Sequence, residues 1–225
     1  MPVRLNEVIP LGRRASEYIA MFGLTNGEQR LKILDCGGGP SSFNAEMNQL
    51  GCRIVSVDPL YRFSKEKIRM RFEKTFEDIM TQTEKNKQDF VWEIIKSPDH
   101  LRETRKSATE IFLEDFEHGK IENRYIDDEL PGLSFGNKEF DIALSSHFLF
   151  LYSHILDLNF HTKAITEMLR VAKEVRIFPL QDLSVKRSIH LDRLIEQFSK
   201  DGFRVEVVNA CYEFQKGSNE YLRIS

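Results

Sequence analysis

Apolar residues along the chain follow two periods in turn, which predict alternating strands and helices. Short runs of apolar, often β-branched residues indicate buried strands, and apolar residues three to four positions apart indicate amphipathic helices. The first unit is a strand at 31–34, a helix that turns Phe43, Met47 and Leu50 inward, and a second strand at 53–57. This order predicts a βαβ unit, and therefore a parallel sheet.

A charged, helical segment at 62–123 separates this unit from the rest of the sheet. Its apolar stripes predict one helix through Ile68 to Met80, another around Phe90 to Ile95, and a third that begins at Ser97-Pro98. Because this insertion follows the second strand, we expect it to form a lid over whatever binds at that edge of the sheet.

The strand-and-helix pattern returns after the insertion. The remaining predicted elements are strands at 124–126, 140–144, 174–178, 204–208 and 221–224 and helices at 11–22, 162–171 and 191–199. A closing hairpin would make the last strand antiparallel to the others. We therefore expect an α/β fold in one domain over residues 1–225: a doubly wound, mostly parallel Rossmann-like sheet with an antiparallel last strand and a helical insertion after the second strand.

Composition and charge narrow the functional classes. The formal net charge is -3, which does not favour a polyanion, so a nucleic-acid partner is not favoured, although a local basic patch could still bind one. The three cysteines lack C-x-x-C spacing, which argues against a disulfide framework or zinc site and favours the reducing cytoplasm. The N-terminus lacks the apolar stretch of a signal peptide, and the most apolar region, 140–158, is interrupted by polar residues, so no membrane partner is expected. No pattern indicates an oligomeric state.

A glycine-rich turn follows the first strand, and an acid, Asp58, ends the second. Glycines allow a backbone to approach a ligand closely, and a carboxylate at the end of the second strand is placed to accept hydrogen bonds from ribose hydroxyls. The dinucleotide motif G-x-G-x-x-G would need a third glycine where Ser42 stands. Asp35, before the turn, would repel a phosphate but attract an ammonium group or orient the amides of the turn. The pattern therefore favours a nucleoside that carries an amino-acid group over NAD, which is the rival ligand.

Four segments together resemble class I S-adenosylmethionine-dependent methyltransferases. The segment 33–41 (ILDCGGGPS) is similar to their first motif, an acid followed by G-x-G-x-G, with Ser41 in place of the last glycine. Val57-Asp58 resembles the second motif, 133–144 resembles an L-P-F…F-D segment, and 167–171 (EMLRV) resembles an E-x-x-R-V helix. The P-G-G turn that usually follows this helix is absent.

The resemblance implies an enzyme that transfers a methyl group from S-adenosyl-L-methionine, with S-adenosyl-L-homocysteine as product, to an unidentified, small-molecule acceptor. A protein of this fold that binds the cofactor or a partner without methylating anything is the alternative. The cofactor-binding residues that the resemblance implies are Asp35, Cys36, Gly37, Gly38, Gly39, Pro40, Asp58, Pro59, Leu60, Asp128, Glu129, Leu130 and Ser145. Asp128 and Glu129 are alternatives for the contact with adenine.

Three histidines, His147, His154 and His161, recur every seven residues after the fourth predicted strand. Helical metal ligands are usually spaced i, i+4, so no metal site is expected. His147 is the candidate catalytic base, because the ordinary pKa of histidine is close to neutrality; a structural role in the loop is the alternative.

Two further groups of side chains are open to two interpretations. The aromatic residues Phe148, Phe150 and Tyr152 either belong to the core or line an apolar acceptor pocket. The basic residues between Arg62 and Arg71 form a local cluster, which we expect to be a solvated helix face because the insertion is close to neutral.

Overall fold

A computed structural model describes residues 11–225. The first ten residues, on which the expectation about a signal peptide partly depends, lie outside the described residues. None of the described helices is both long and apolar enough to cross a membrane.

Seven strands form one sheet in the described part of the chain, with α-helices around it. The strands are β1 (Lys32–Cys36), β2 (Arg53–Val57), β3 (Tyr125–Ile126), β4 (Phe140–Ser146), β5 (Ala172–Phe178), β6 (Val205–Asn209) and β7 (Glu220–Ile224). The α-helices are α1 (Ala15–Phe22), α2 (Phe43–Gln49), α3 (Lys65–Lys85), α4 (Pro98–Ile121), α5 (Leu158–Val171) and α6 (Leu191–Lys200).

The order of the strands across the sheet is β3-β2-β1-β4-β5-β7-β6. All neighbouring pairs are parallel except those of β7, which runs antiparallel to both β5 and β6. The predicted Rossmann-like sheet, its antiparallel last strand and the helical insertion after the second strand are confirmed.

Apolar layers cover both faces of the central strands. Because successive side chains of a strand point to opposite faces, Leu34 of β1 packs in one core with α5 and α6. The preceding Ile33 packs in the other core, with α1. Burial on both faces explains why the parallel strands are nearly continuous apolar runs.

The insertion is joined to the sheet by an aromatic cluster. Phe112 and Phe116 of α4 contact Tyr125 of β3 and Tyr61, which lies in the 3-10 turn after β2, with ring centroids 5.0 to 5.8 Å apart. Helix α4 begins where the sequence predicts, because the Ser97 hydroxyl accepts a hydrogen bond from the His100 amide at 3.1 Å. The two long helices are therefore part of the globular body.

The prediction of a helix around Phe90 to Ile95 is wrong. The segment after α3 is extended: the amide of Val91 donates to the carbonyl of Phe214 at 2.7 Å. The ring of Phe90 stacks on that of Phe214 with centroids 4.8 Å apart. Phe90 and Val91 are therefore held by the loop between β6 and β7, a partner more than a hundred residues away, in place of a helix.

Candidate active site

The glycine turn lies at the carboxyl end of β1, beside the point where the order of the strands reverses between β1 and β4. Open α/β sheets bind ligands at such points. The amide of Gly39 donates to Oδ2 of Asp58 at 2.9 Å, and the amide of Leu60 donates to Oδ1 at 2.7 Å. An ionised carboxylate has about four acceptor sites, so half-buried Asp58 keeps acceptor capacity for the hydroxyls of a ligand.

The three glycines of the turn have different reasons for lacking a side chain. A Cβ on Gly37 would lie 3.2 Å from the ring of Phe148, and one on Gly38 would lie 2.5 Å from Oδ2 of Asp35. These two glycines are required by contacts within the protein. Gly39 has a φ of +53°, and its Cβ would meet only Oδ2 of Asp58, at 4.0 Å. Gly39 is thus the glycine that leaves space beside Asp58.

Asp35 lies beneath the turn and is almost completely buried. It accepts hydrogen bonds from the hydroxyls of Tyr18 and Ser56, each at 3.2 Å. Burial raises the pKa of Asp35 to about 7, against these hydrogen bonds, and the charge of Asp58 adds to the rise. The amides of Gly37 and Gly38 donate to the carbonyl of Val57, so the expectation that Asp35 orients the amides of the turn is wrong.

Several residues that the sequence predicts to contact the cofactor have buried side chains. Cys36 is inaccessible, and Leu60 and Leu130 belong to apolar clusters. At these three positions a ligand can therefore contact the backbone more readily than the side chain. Pro40, also buried, presents its carbonyl to Gly12, whose added Cβ would lie 2.0 Å from that oxygen. Pro59 is half-buried and opens the 3-10 turn after Asp58.

The two acids after β3 differ in what they contact. Asp128 accepts hydrogen bonds from the amide of Glu129 at 2.9 Å and from the amide and hydroxyl of Ser134, both at 2.8 Å. It therefore shapes the loop. Glu129 is exposed, and its charge is among the causes that raise the pKa of Asp58, after burial. Of the two alternatives for the adenine contact, this arrangement favours Glu129.

Strand β4 extends two residues further than predicted and carries Ser145 within it, not after it. Ser145 is fully buried, and its hydroxyl has no hydrogen-bond partner among the described residues. The strand continues because Ser145 and Ser146 pair with Ile177 and Phe178 of β5. The residue that leaves the strand is His147.

His147 has a left-handed backbone, with φ +53°, which is uncommon for a residue with a side chain and occurs often at functional sites. Its amide donates to the carbonyl of Phe178 at 2.6 Å, and its Nδ1 lies 2.9 Å from the hydroxyl of Ser146. Burial and the positive charges of Arg13 and Arg105 lower the pKa of His147 well below its usual value. The imidazole is therefore neutral at physiological pH and a weaker base than an ordinary histidine.

A cavity of about 140 Å³ opens beside His147. Its wall combines four parts of the chain: the segment before α1, the insertion, the ends of β4 and β5 with their loops, and the loop between β6 and β7. The lining residues are Leu11, Arg13, Ile79, Thr83, Phe90, Leu101, Arg105, His147, Leu151, Tyr152, Phe178, Leu183, Tyr212, Phe214, Gln215 and Ser218.

Of the three aromatic residues after β4, some belong to the core and one lines the cavity. Phe148 covers Gly37, Phe150 is buried against the ring of His161, and Tyr152 lines the cavity. The ring nitrogens of His161 contact the carbonyls of Asp157 and Leu149. Within residues 11–225, no three His, Cys, Asp or Glu side chains are grouped as a metal site would require.

Two arginines of the cavity, Arg13 and Arg105, were not predicted as site residues. Arg105 lies in a helix with charges on many positions, and Arg13 precedes α1 without a motif. In the basic cluster between Arg62 and Arg71, Arg62 pairs with Asp127 and Arg69 pairs with Glu110. Such exposed ion pairs are those expected of a solvated helix face. The one sequence signal for Arg13 is its neighbour Gly12, which has to be a glycine because it lies against Pro40.

Comparison with known proteins gives one relative of high similarity. An uncharacterized protein of Methanocaldococcus jannaschii is 37% identical over 224 residues, which are 99% of this chain and 98% of the relative. No family model matches the chain.

Solved structures align with the chain at low identity. A magnesium protoporphyrin IX methyltransferase of Synechocystis with bound S-adenosylhomocysteine is 11% identical, with 93% of this chain and 80% of that chain covered and a TM-score of 0.49. A SAM-dependent methyltransferase of Aquifex aeolicus is 13% identical, with 93% and 87% covered and a TM-score of 0.43. The chain belongs to the same family as the uncharacterized M. jannaschii protein, and its sheet is the Rossmann-like sheet that the resemblance to class I methyltransferases implies.

Proposed function

We propose that the protein is an S-adenosylmethionine-dependent methyltransferase with a small-molecule acceptor. The observation that carries this proposal is the junction of Gly39 and Asp58, where an open glycine and a carboxylate with spare acceptor capacity meet at the switch point of the sheet. A nucleoside binds at this junction through its ribose hydroxyls, and the exposed Glu129 lies on the side of its base.

The residues present fit such a donor. Asp58 accepts from the ribose hydroxyls, whereas Asp35, buried beneath the turn, has almost no surface for a direct contact with the ammonium group. When bound, S-adenosylmethionine supplies a methyl group on a positively charged sulfur, which takes back the bonding electron pair as the acceptor's lone pair bonds to the methyl carbon.

The protein's own contribution is mainly alignment of the two reactants. His147 lies between the end of β4 and the cavity. Its neutral imidazole is placed to accept a hydrogen bond from an N–H or O–H of the acceptor. The insertion contributes part of the wall of the cavity, including Ile79 and Leu101.

Incubation with donor labelled in its methyl group tests the proposal. The acceptors are a fractionated small-molecule extract, and transfer of label is followed for the wild type, Asp58→Ala and Asp127→Ala. Asp127 is an exposed acid paired with Arg62, so it is the matched control. We expect label in a small molecule with the wild type and Asp127→Ala, and loss of at least about tenfold with Asp58→Ala, because several charge-assisted hydrogen bonds are removed.

Two results would contradict the proposal. Donor binding without transfer to any fraction would support the alternative of a non-catalytic binding protein. Tight binding of NADH with no binding of S-adenosylhomocysteine would support the nicotinamide alternative.

A further inference from the structure

The charges around the cavity do not balance. Arg105 is paired with Glu17 through two hydrogen bonds, at 2.6 and 2.8 Å. Arg13 has no ion pair with any carboxylate in residues 11–225. His147 is neutral, as its lowered pKa implies. Within residues 11–225, the positive charge of Arg13 in the wall of this mostly apolar cavity is therefore offset only in part, by the nearby Glu17 carboxylate that Arg105 already pairs with.

Arg13 lines the cavity, and hydrogen bonds within residues 11–225 use only part of its guanidinium. Its Nη1 donates to the carbonyl of Leu11 at 2.9 Å. Its Nε is buried and has no hydrogen-bond partner among the described residues. A buried donor without a partner costs free energy, and the edge formed by Nε and Nη2 is one that a carboxylate can pair with through two parallel hydrogen bonds.

The backbone fixes Arg13 in this position. Its carbonyl accepts hydrogen bonds from the hydroxyl of Ser41 at 2.7 Å and from the amide of Ser42 at 3.1 Å. The preceding Gly12 lies so close to Pro40 that an added Cβ would be 2.0 Å from its carbonyl oxygen. Arg13 is thus held against the glycine turn while its side chain lines the cavity.

We propose that the cavity binds the methyl acceptor and that the acceptor is a small carboxylate with a ring-sized apolar body, whose carboxylate pairs with Arg13. This inference rests on the proposed function. The aromatic wall of Phe90, Tyr152, Phe178 and Phe214 suits the apolar body, and a dry cavity of similar size accommodates a benzene ring. His147, also in the wall, faces the part of the acceptor that receives the methyl group.

Binding of benzoate and of benzamide, which has the same ring without the charge, tests the inference by calorimetry or ligand-detected NMR. The proteins are the wild type, Arg13→Gln and Arg204→Gln, since Arg204 is exposed on the far edge of the sheet and serves as the matched control. We expect the wild type and Arg204→Gln to prefer benzoate by at least about tenfold. Arg13→Gln should lose this preference.

Titration of the same proteins with S-adenosylhomocysteine separates this inference from the proposed function. We expect Arg13→Gln to keep the wild-type affinity within about twofold, which also shows that the variant is folded. Equal binding of benzoate and benzamide to the wild type would overturn the carboxylate acceptor while leaving donor binding intact. A large loss of S-adenosylhomocysteine affinity in Arg13→Gln would also overturn it, because Arg13 would then serve the donor.

Discussion

Arg105 of the insertion and Glu17 of the first helix form a buried ion pair in the wall of the cavity. Two hydrogen bonds of 2.6 and 2.8 Å join them, and their side chains are 2% and 3% exposed. The hydroxyl of Tyr212 donates to the same Glu17 carboxylate at 2.8 Å. Although burial favours the neutral acid, Arg105 holds the pKa of Glu17 at about 2. Three distant parts of the sequence are therefore joined at one carboxylate.

Breaking this pair on one side is expected to destabilise the protein strongly. Glu17→Gln leaves the guanidinium of Arg105 buried without a counter-charge, which costs about 3–5 kcal/mol of the free energy of unfolding. The double variant Glu17→Leu with Arg105→Leu removes both charges and should lose less than the sum of the two single variants. Urea unfolding of Glu17→Gln, of the single variants Glu17→Leu and Arg105→Leu, and of the double variant checks this. A loss below about 1 kcal/mol in Glu17→Gln, the value of an exposed pair, would contradict the account.

Asp35 is expected to make stability depend on pH near neutrality. Burial raises its pKa to about 7 in the folded protein, against about 3.9 in an unfolded chain. The folded state thus holds this proton more tightly, and the resulting stability is complete below about pH 4 and lost as the pH rises through about 7. The stability of Asp35→Asn relative to the wild type should therefore rise as the pH goes from about 4 to about 7. Urea unfolding at several pH values checks this; a constant difference between the two proteins would contradict the raised pKa.

The contact of Phe148 with Gly37 is expected to make alanine costly at that position. Gly37→Ala adds a strained backbone, at φ +73°, and a Cβ 3.2 Å from the ring. Gly51 is a matched control, because its φ is +77° and an added Cβ would have nothing within 4 Å. Thermal unfolding should show that Gly37→Ala is less stable than Gly51→Ala, beyond the left-handed backbone strain of about 1–2 kcal/mol that the two variants share. Equal losses would mean that Phe148 moves aside freely.

The insertion is expected to affect the acceptor without affecting the donor. Ile79 of α3 lines the cavity and is half-buried, so Ile79→Trp should fill part of the cavity and lower turnover at least about tenfold. Ile94 lies in the same insertion and is 42% exposed, away from the lining, so Ile94→Trp is the control. Affinity for S-adenosylhomocysteine should stay within about twofold of the wild type in both variants. Equal turnover of the two variants would place the acceptor elsewhere.

The parts of the fold that are predictable from the sequence depend on local patterns. The strand-turn-helix-strand unit from Lys32 to Val57 follows from apolar periodicity and glycines close to one another in the chain. The extended course around Phe90 is not predictable in this way, because it depends on Phe214, which lies in the loop between β6 and β7. The burial of Arg105 is not predictable for the same reason. In the sequence it looks like any solvated charge of a polar helix, because its partner Glu17 lies in a distant segment.

The candidate site also has one part that local sequence motifs predict and another part that they do not. Asp58 and the glycine turn have a motif, whereas Arg13 and the cavity are assembled from four separate segments. Local pattern also does not distinguish a glycine required by Phe148 or Asp35 from one that leaves space for a ligand, as Gly39 does.

Calorimetric titration with S-adenosylhomocysteine tests the central claim, that the junction of Gly39 and Asp58 binds the donor, most directly. The proteins are the wild type, Asp58→Asn and the exposed-acid control Asp127→Asn, with NADH as the rival ligand. We expect saturable binding to the wild type and Asp127→Asn, affinity at least about tenfold lower for Asp58→Asn, and no binding of NADH. Wild-type protein that is folded but does not bind S-adenosylhomocysteine, or equal affinity in Asp58→Asn, would contradict it.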